Sequence, residues 1–124
     1  MSGSRSIGPP PFEDVVSILR VFVDVSRSDP WFEALQSQVD AVVGVTGTFW
    51  YADLILDGDC LPMPSGTQIP LRRELITRSG IEPPGSLLLW SESRTGVIDC
   101  VEFAVVEKEL VKKYPTADEG EEWI

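Results

Sequence analysis

Apolar positions recur first with a helical period and later with a period of two. Across 12–25, Phe12, Val15, Val16, Leu19, Phe22 and Val23 fall at i, i+3, i+4, i+7, i+10 and i+11, which is one helical face. Glu13 and Asp14 lie in the first turn, where the macrodipole favours acids. Pro9, Pro10 and Pro11 form an extended lead-in from which a helix can start. A strand over 20–25 is the rival, because β-branched residues crowd there; the spacing favours the helix. A second helix is predicted over 30–40, with Asp29 as N-cap, Pro30 at the first helical position, and Trp31, Leu35 and Val39 on one side. Gly44 and Gly47 then break the pattern.

From 48 to 56 the period becomes two. Trp50, Ala52, Leu54 and Leu56 share one face; Phe49, Tyr51, Asp53 and Ile55 share the other. Asp57-Gly58-Asp59 ends this strand, and Pro62, Pro64 and Gly66 make 60–68 a loop. A strand over 69–76 carries Pro70 at its start, which suits a sheet edge. Pro83-Pro84-Gly85 marks a turn, 86–91 a short apolar strand, and 92–96 a hairpin loop. Over 97–106, Ile98, Cys100, Glu102 and Ala104 alternate with Val97, Asp99, Val101, Phe103 and Val105, and this strand should pair antiparallel with 86–91. Residues 107–113 read as a helical turn or a solvated extension. Helices first and strands with short links afterwards give an α+β domain. It has two N-terminal helices packed on one face of a mainly antiparallel sheet of about four strands. Residues 1–11 read as a flexible leader, 12–113 as a single domain, and 114–124 as an acidic C-terminal tail.

Composition narrows the function. The 124 residues suit one domain, large enough to fold without disulfide or metal. Ten Lys and Arg stand against twenty Asp and Glu, giving a net charge of −10. The charge is −6 over 1–62 (3 basic, 9 acidic) and −4 over 63–124 (7 basic, 11 acidic). That balance argues against nucleic-acid binding, which needs clustered cations. With no histidine, His-based triads and most zinc sites are unavailable. No stretch reaches the roughly 18–20 apolar residues of a membrane span. The first residues lack the apolar core of a signal peptide, so a cytoplasmic location is expected. Cys60 and Cys100 stand forty positions apart. They read as buried or idle thiols, with a mutual disulfide as the lesser alternative.

Candidate chemistry is sparse. Neither cysteine has a base or a cationic neighbourhood. No GxSxG or phosphate-binding glycine motif occurs. Asp57-Gly58-Asp59 resembles the opening of a calcium loop, but Gln68 holds the twelfth position where an acid is required; no metal or cofactor is expected. Glu102 shares a face with apolar neighbours, so it is either an acid with a raised pKa or a plain surface carboxylate. Arg72 and Arg73 point to opposite faces of a strand and read as charges protecting an edge. Of four tryptophans, Trp50 and Trp90 fit core strands and Trp31 a helix face. Trp123, in the acidic tail, either folds back or anchors a partner.

The segments 51–59 (Tyr-Ala-Asp-Leu-Ile-Leu-Asp-Gly-Asp), 88–92 (Leu-Leu-Trp-Ser-Glu) and 98–104 (Ile-Asp-Cys-Val-Glu-Phe-Ala) resemble a group of small acidic bacterial proteins, common in actinobacteria, over about residues 50–106. Some similar proteins are immunity partners of polymorphic toxins. The resemblance carries no catalytic residues. It implies a non-enzymatic acidic protein that neutralises a basic toxin, a nuclease or nucleic-acid-modifying enzyme, by charge complementarity. The acids expected to meet such a partner are Asp57, Asp59, Glu92, Asp99, Glu102, Asp118, Glu119, Glu121 and Glu122, with Trp123 as an aromatic anchor. The protein itself would be a monomer or small homo-oligomer that binds no nucleic acid or membrane directly. Two alternatives stand beside this reading. One is a small enzyme or ligand binder using Asp53, Asp99 or Glu102 in a pocket between sheet and helices; the other is a regulatory interaction protein.

Overall fold

Pro11 sets the start of the first helix. Its extended backbone (φ −57°, ψ 143°) turns its carbonyl to accept the N–H groups of Asp14 and Val15. In the computed structural model, residues 8–77, 85–105, Tyr114 and 121–123 are described, with 73–77 and 121–123 described by backbone alone. Helix α1 spans Phe12–Val25 and helix α2 Phe32–Asp40. The buried stripe of α1 is Val15, Ile18, Leu19, Phe22 and Val23. Phe12 is exposed and Val16 only half-buried, so Ile18 takes the place the spacing had given them. These five positions form the contiguous i, i+3, i+4, i+7, i+8 set of a single apolar face. Helix α2 begins two residues later than predicted. The Asp29 carbonyl accepts the Phe32 N–H, no side chain caps the helix, and Asp29 and Pro30 lie in the preceding turn.

Six strands follow: β1 (Val42–Gly47), β2 (Tyr51–Leu56), β3 (Leu71–Thr77), β4 (Gly85–Ser91), β5 (Ile98–Val105) and β6 (Glu121–Trp123). They form one sheet in the order β1-β2-β5-β4-β3-β6, and every described pairing is antiparallel. The fold is therefore α+β with two leading helices, and the sheet has six strands where about four were expected. The pairing of 86–91 with the last long strand is present as β4 with β5.

Both additional strands have a physical explanation. Strand β1 holds Gly44 and Gly47, which break sequence patterns yet serve this sheet. Gly44 leaves room for Ile55, whose Cδ1 would lie 3.3 Å from an added Cβ. Gly47 adopts φ +91°, and a Cβ there would strike the Tyr51 carbonyl oxygen. Strand β6 belongs to the segment read as an acidic tail; its backbone pairs with β3, Glu122 in register with Ile76. Because β6 lies beyond it, β3 is not a sheet edge, and Pro70 precedes the strand. The reading of Arg72 and Arg73 as edge protection is corrected accordingly.

One face of the sheet carries the core. Val42, Ala52, Leu71, Leu87, Leu89, Ile98, Val101 and Phe103 are buried there with the apolar stripes of α1 and α2. Simple alternation would put Ile98 on the other face. A bulge corrects this: Trp90 pairs with Cys100 but Ser91 with Ile98, so Asp99 is the extra residue. Ile98 and Val101 therefore both point inward. At one end of this face Phe49 packs edge-on against Trp50 (4.7 Å) and Tyr114 (5.5 Å), so Phe49 belongs to the core and not to the outer face of β2.

A polar clamp ties the far ends together. Gln38 on α2 is 0% exposed. Its Nε2 donates to the carbonyls of Leu61 (2.6 Å) and Gly96 (2.9 Å), and its Oε1 accepts the Ile98 N–H (2.8 Å). One buried side chain thus fixes the 61–63 loop and the β4–β5 hairpin to a helix. Its full satisfaction is what makes its burial tolerable.

Candidate functional site

The second face of the sheet is not covered by the helices. Side chains alternate along a strand, so burial of Ala52, Leu89, Val101 and Leu71 turns their neighbours outward. Register then arranges these neighbours in two rows. Tyr51 on β2 pairs with Glu102 on β5, which pairs with Leu88 on β4, which pairs with Arg72 on β3. One step along, Asp53 pairs with Cys100, which pairs with Trp90. Directly opposed residues lie within side-chain contact distance. Tyr51 is 51% exposed and Trp90 39%. Trp90 was expected in the core; the register puts it on the open face, where its Nε1 donates to Glu102 Oε1 (3.0 Å).

Three carboxylates, Asp53, Asp99 and Glu102, act on Cys100, and Glu92 acts in turn on Asp99. The Cys100 thiol is pushed up to about 12 by burial first, and then by Asp53, Asp99 and Glu102, with a hydrogen bond to Asp53. It therefore remains a neutral thiol at physiological pH, unsuited to nucleophilic work. Both cysteines are free. The Asp99 carboxyl is raised above its ordinary range, by partial burial first, then by the charges of Glu92 and Asp53. Like charges held together store repulsion that a cation would relieve.

Of the residues singled out from sequence, Glu92, Asp99 and Glu102 are brought together here. Asp53 joins them; it had been considered only for the enzymatic alternative. The signal for it was present in the alternation of 48–56, which set Asp53 beside Tyr51 and Ile55 on one face. Asp57 and Asp59 are exposed beyond the end of β2, on either side of Gly58 (φ +80°), and are not part of the cluster. Glu121 and Glu122 lie on β6 at the far edge of the sheet, separated from β5 by β4 and β3. Trp123 is in register with Leu75. Asp118 and Glu119 fall outside the described residues.

A cleft of about 300 Å³ opens between the 63–69 loop and the β4–β5 hairpin, not between sheet and helices. Glu92 lines it, while Asp53, Asp99 and Glu102 do not. Its floor is held by Gly96, whose carbonyl accepts the Met63 N–H (2.9 Å) and whose φ of +68° suits glycine. Among the described residues, no group of three or more Cys, Asp or Glu side chains is placed to hold a metal ion. No described helix is long and apolar enough to cross a membrane. No protein-family model, curated protein or solved structure matches the chain.

Proposed function

We propose that this protein is a non-enzymatic acidic inhibitor of the immunity kind, acting in the cytoplasm. It neutralises a basic toxin, a nuclease or nucleic-acid-modifying enzyme, by seating the toxin's cationic surface on the open face of its sheet. The observation that carries this reading is the cluster of Asp53, Asp99 and Glu102 around Cys100, with Glu92 beside Asp99, flanked by exposed Tyr51 and Trp90. A nucleic-acid-cleaving groove must be positive to hold phosphates. An acidic face opposite it speeds encounter and sets orientation, while exposed aromatic rings supply short-range contact energy. The crowding of Asp99 by Glu92 and Asp53 favours a partner that brings positive charge among them.

The test is affinity capture from the native host with the full chain immobilised, compared with an Asp53→Lys/Glu102→Lys variant. The expected catch is a basic protein with nuclease or nucleic-acid-modifying activity. It should be retained at low salt, released near ~0.5 M NaCl and lost on the variant. Adding the wild-type chain in equimolar amount should suppress its activity. Equal retention by the variant, or an activity untouched by the added chain, would overturn the proposal.

A further inference from the structure

The two edges of the sheet differ in chemistry. The β6 edge contains Glu121 and Glu122, and charge on an edge strand deters pairing. The β1 edge, Val42–Gly47, has no charged residue and no proline. Its Val43 is 58% exposed. The acid just before it, Asp40, is held by Arg20 at 2.7 Å. Strand β2 occupies one side of β1; among the described residues no strand occupies the other.

The backbone on that side can be assigned. Thr48 N–H donates to the Tyr51 carbonyl (3.0 Å). Hydrogen-bonded and non-bonded pairs alternate in an antiparallel ladder, so Thr46 bonds toward Asp53 while Val45 opposes Leu54 without bonds. The N–H and C=O of Val45 therefore point away from β2, to the open edge.

We propose that β1 pairs antiparallel with β1 of a second copy of this chain, about a two-fold axis through Val45. Such a contact is self-complementary. Val45 exchanges both hydrogen bonds with its counterpart, giving a β-branched pair on the helix-covered side. Gly44, with Ile55 lying over it, meets Thr46 of the second copy on the open side. The bulge at Val43, between the Val42 and Gly44 pairings, ends the seam. No carboxylate is set opposite another within the seam, which matters for two copies that each carry −10. An uncharged edge has nothing to attract the basic partner proposed above, so the occupant favoured here is the chain itself.

This contact and the acidic face respond oppositely to salt. Screening removes general repulsion between two acidic copies, so the dimer tightens as salt rises, whereas binding of a cationic partner weakens. The test is sedimentation equilibrium of the full chain at low and high NaCl, alongside Val45→Pro and Val43→Glu. Proline at 45 removes the outward N–H and no β1–β2 bond. Dimerisation should weaken roughly thirtyfold in Val45→Pro. Val43→Glu changes an exposed bulge residue, so its fold is kept, and it puts a carboxylate at each end of the seam; it should be monomeric at low salt. Three results would each overturn the proposal: a wild-type chain that is monomeric at ~0.5 mM in high salt, variants that dimerise as well as wild type, or a dimer that loosens as salt rises. Loss of the dimer in Val43→Glu with basic-partner binding intact separates this contact from the acidic face.

Discussion

The two faces of the sheet are made by the same strands and have opposite chemistry. Inward, Leu87, Leu89, Val101 and Phe103 are buried under two helices. Outward, on the same β4 and β5, Leu88, Trp90, Cys100 and Glu102 alternate with them, and Trp90 is among the exposed large side chains. The inner face holds the molecule together. The outer face accommodates crowded carboxylates and open aromatic rings because the helices pack on the other side. On the proposed reading, that difference frees the outer face for recognition.

Truncating the inner face should have the largest effect. Leu89→Ala removes a side chain that is fully buried and should cost about 2–5 kcal/mol in denaturant unfolding. A cost below that of any outer-face change would erase the distinction between the faces. Next comes the clamp. Gln38→Leu leaves the Ile98 N–H and the carbonyls of Leu61 and Gly96 without their partner, and should cost about 2–4 kcal/mol by the same measurement. A neutral effect would mean that the hairpin is held in place by other contacts.

A smaller effect concerns pH. The folded-state pKa of Asp99 is raised above 3.8, by partial burial first and then by Glu92 and Asp53. The folded state therefore binds this proton more tightly than the unfolded chain does. Its contribution to stability is fully present below 3.8 and is lost as pH rises through the folded value. Asp99→Asn should accordingly gain stability relative to wild type as pH increases across that window, read from thermal unfolding at a series of pH values. An Asp99→Asn variant that loses stability relative to wild type as pH rises contradicts the crowding of acids on this face. Smallest of all, Tyr51→Ser should shift stability by no more than about 0.5 kcal/mol, because the ring is half exposed on the open face. A larger loss would assign Tyr51 to the fold and not to recognition.

Much of this was legible in the chain itself. The spacing of Val15, Leu19, Phe22 and Val23 reports α1 because an apolar stripe at helical period has one way to be buried. The alternation Tyr51-Ala52-Asp53-Leu54 reports β2 and already separates the two faces. Strand β1 was hidden because Gly44 and Gly47 look like breakers until the neighbouring Ile55 and Tyr51 are seen to need the space. The bulge at Asp99 was hidden because strict alternation cannot register an inserted residue, and so Ile98 was assigned to the wrong face. Trp90 was expected inside on hydrophobicity; register with Cys100 turned it out. Gln38 was discoverable in principle, since it sits three residues after Leu35 and beside Val39, a polar residue on an apolar stripe. The gathering of Glu92, Asp99 and Glu102 with Asp53 could not be read from one dimension, because it depends on β2 pairing with β5 across more than forty intervening residues. Asp57 and Asp59, conspicuous in sequence, lie apart from it.

The most direct test of the acidic face is an NMR titration of the full chain with an arginine-rich peptide at low and high salt. Shifts should concentrate on Tyr51, Asp53, Trp90, Asp99 and Glu102 and fade as salt screens the charges. Shifts centred on Asp57 and Asp59 or on β6, or shifts indifferent to salt, would contradict the account.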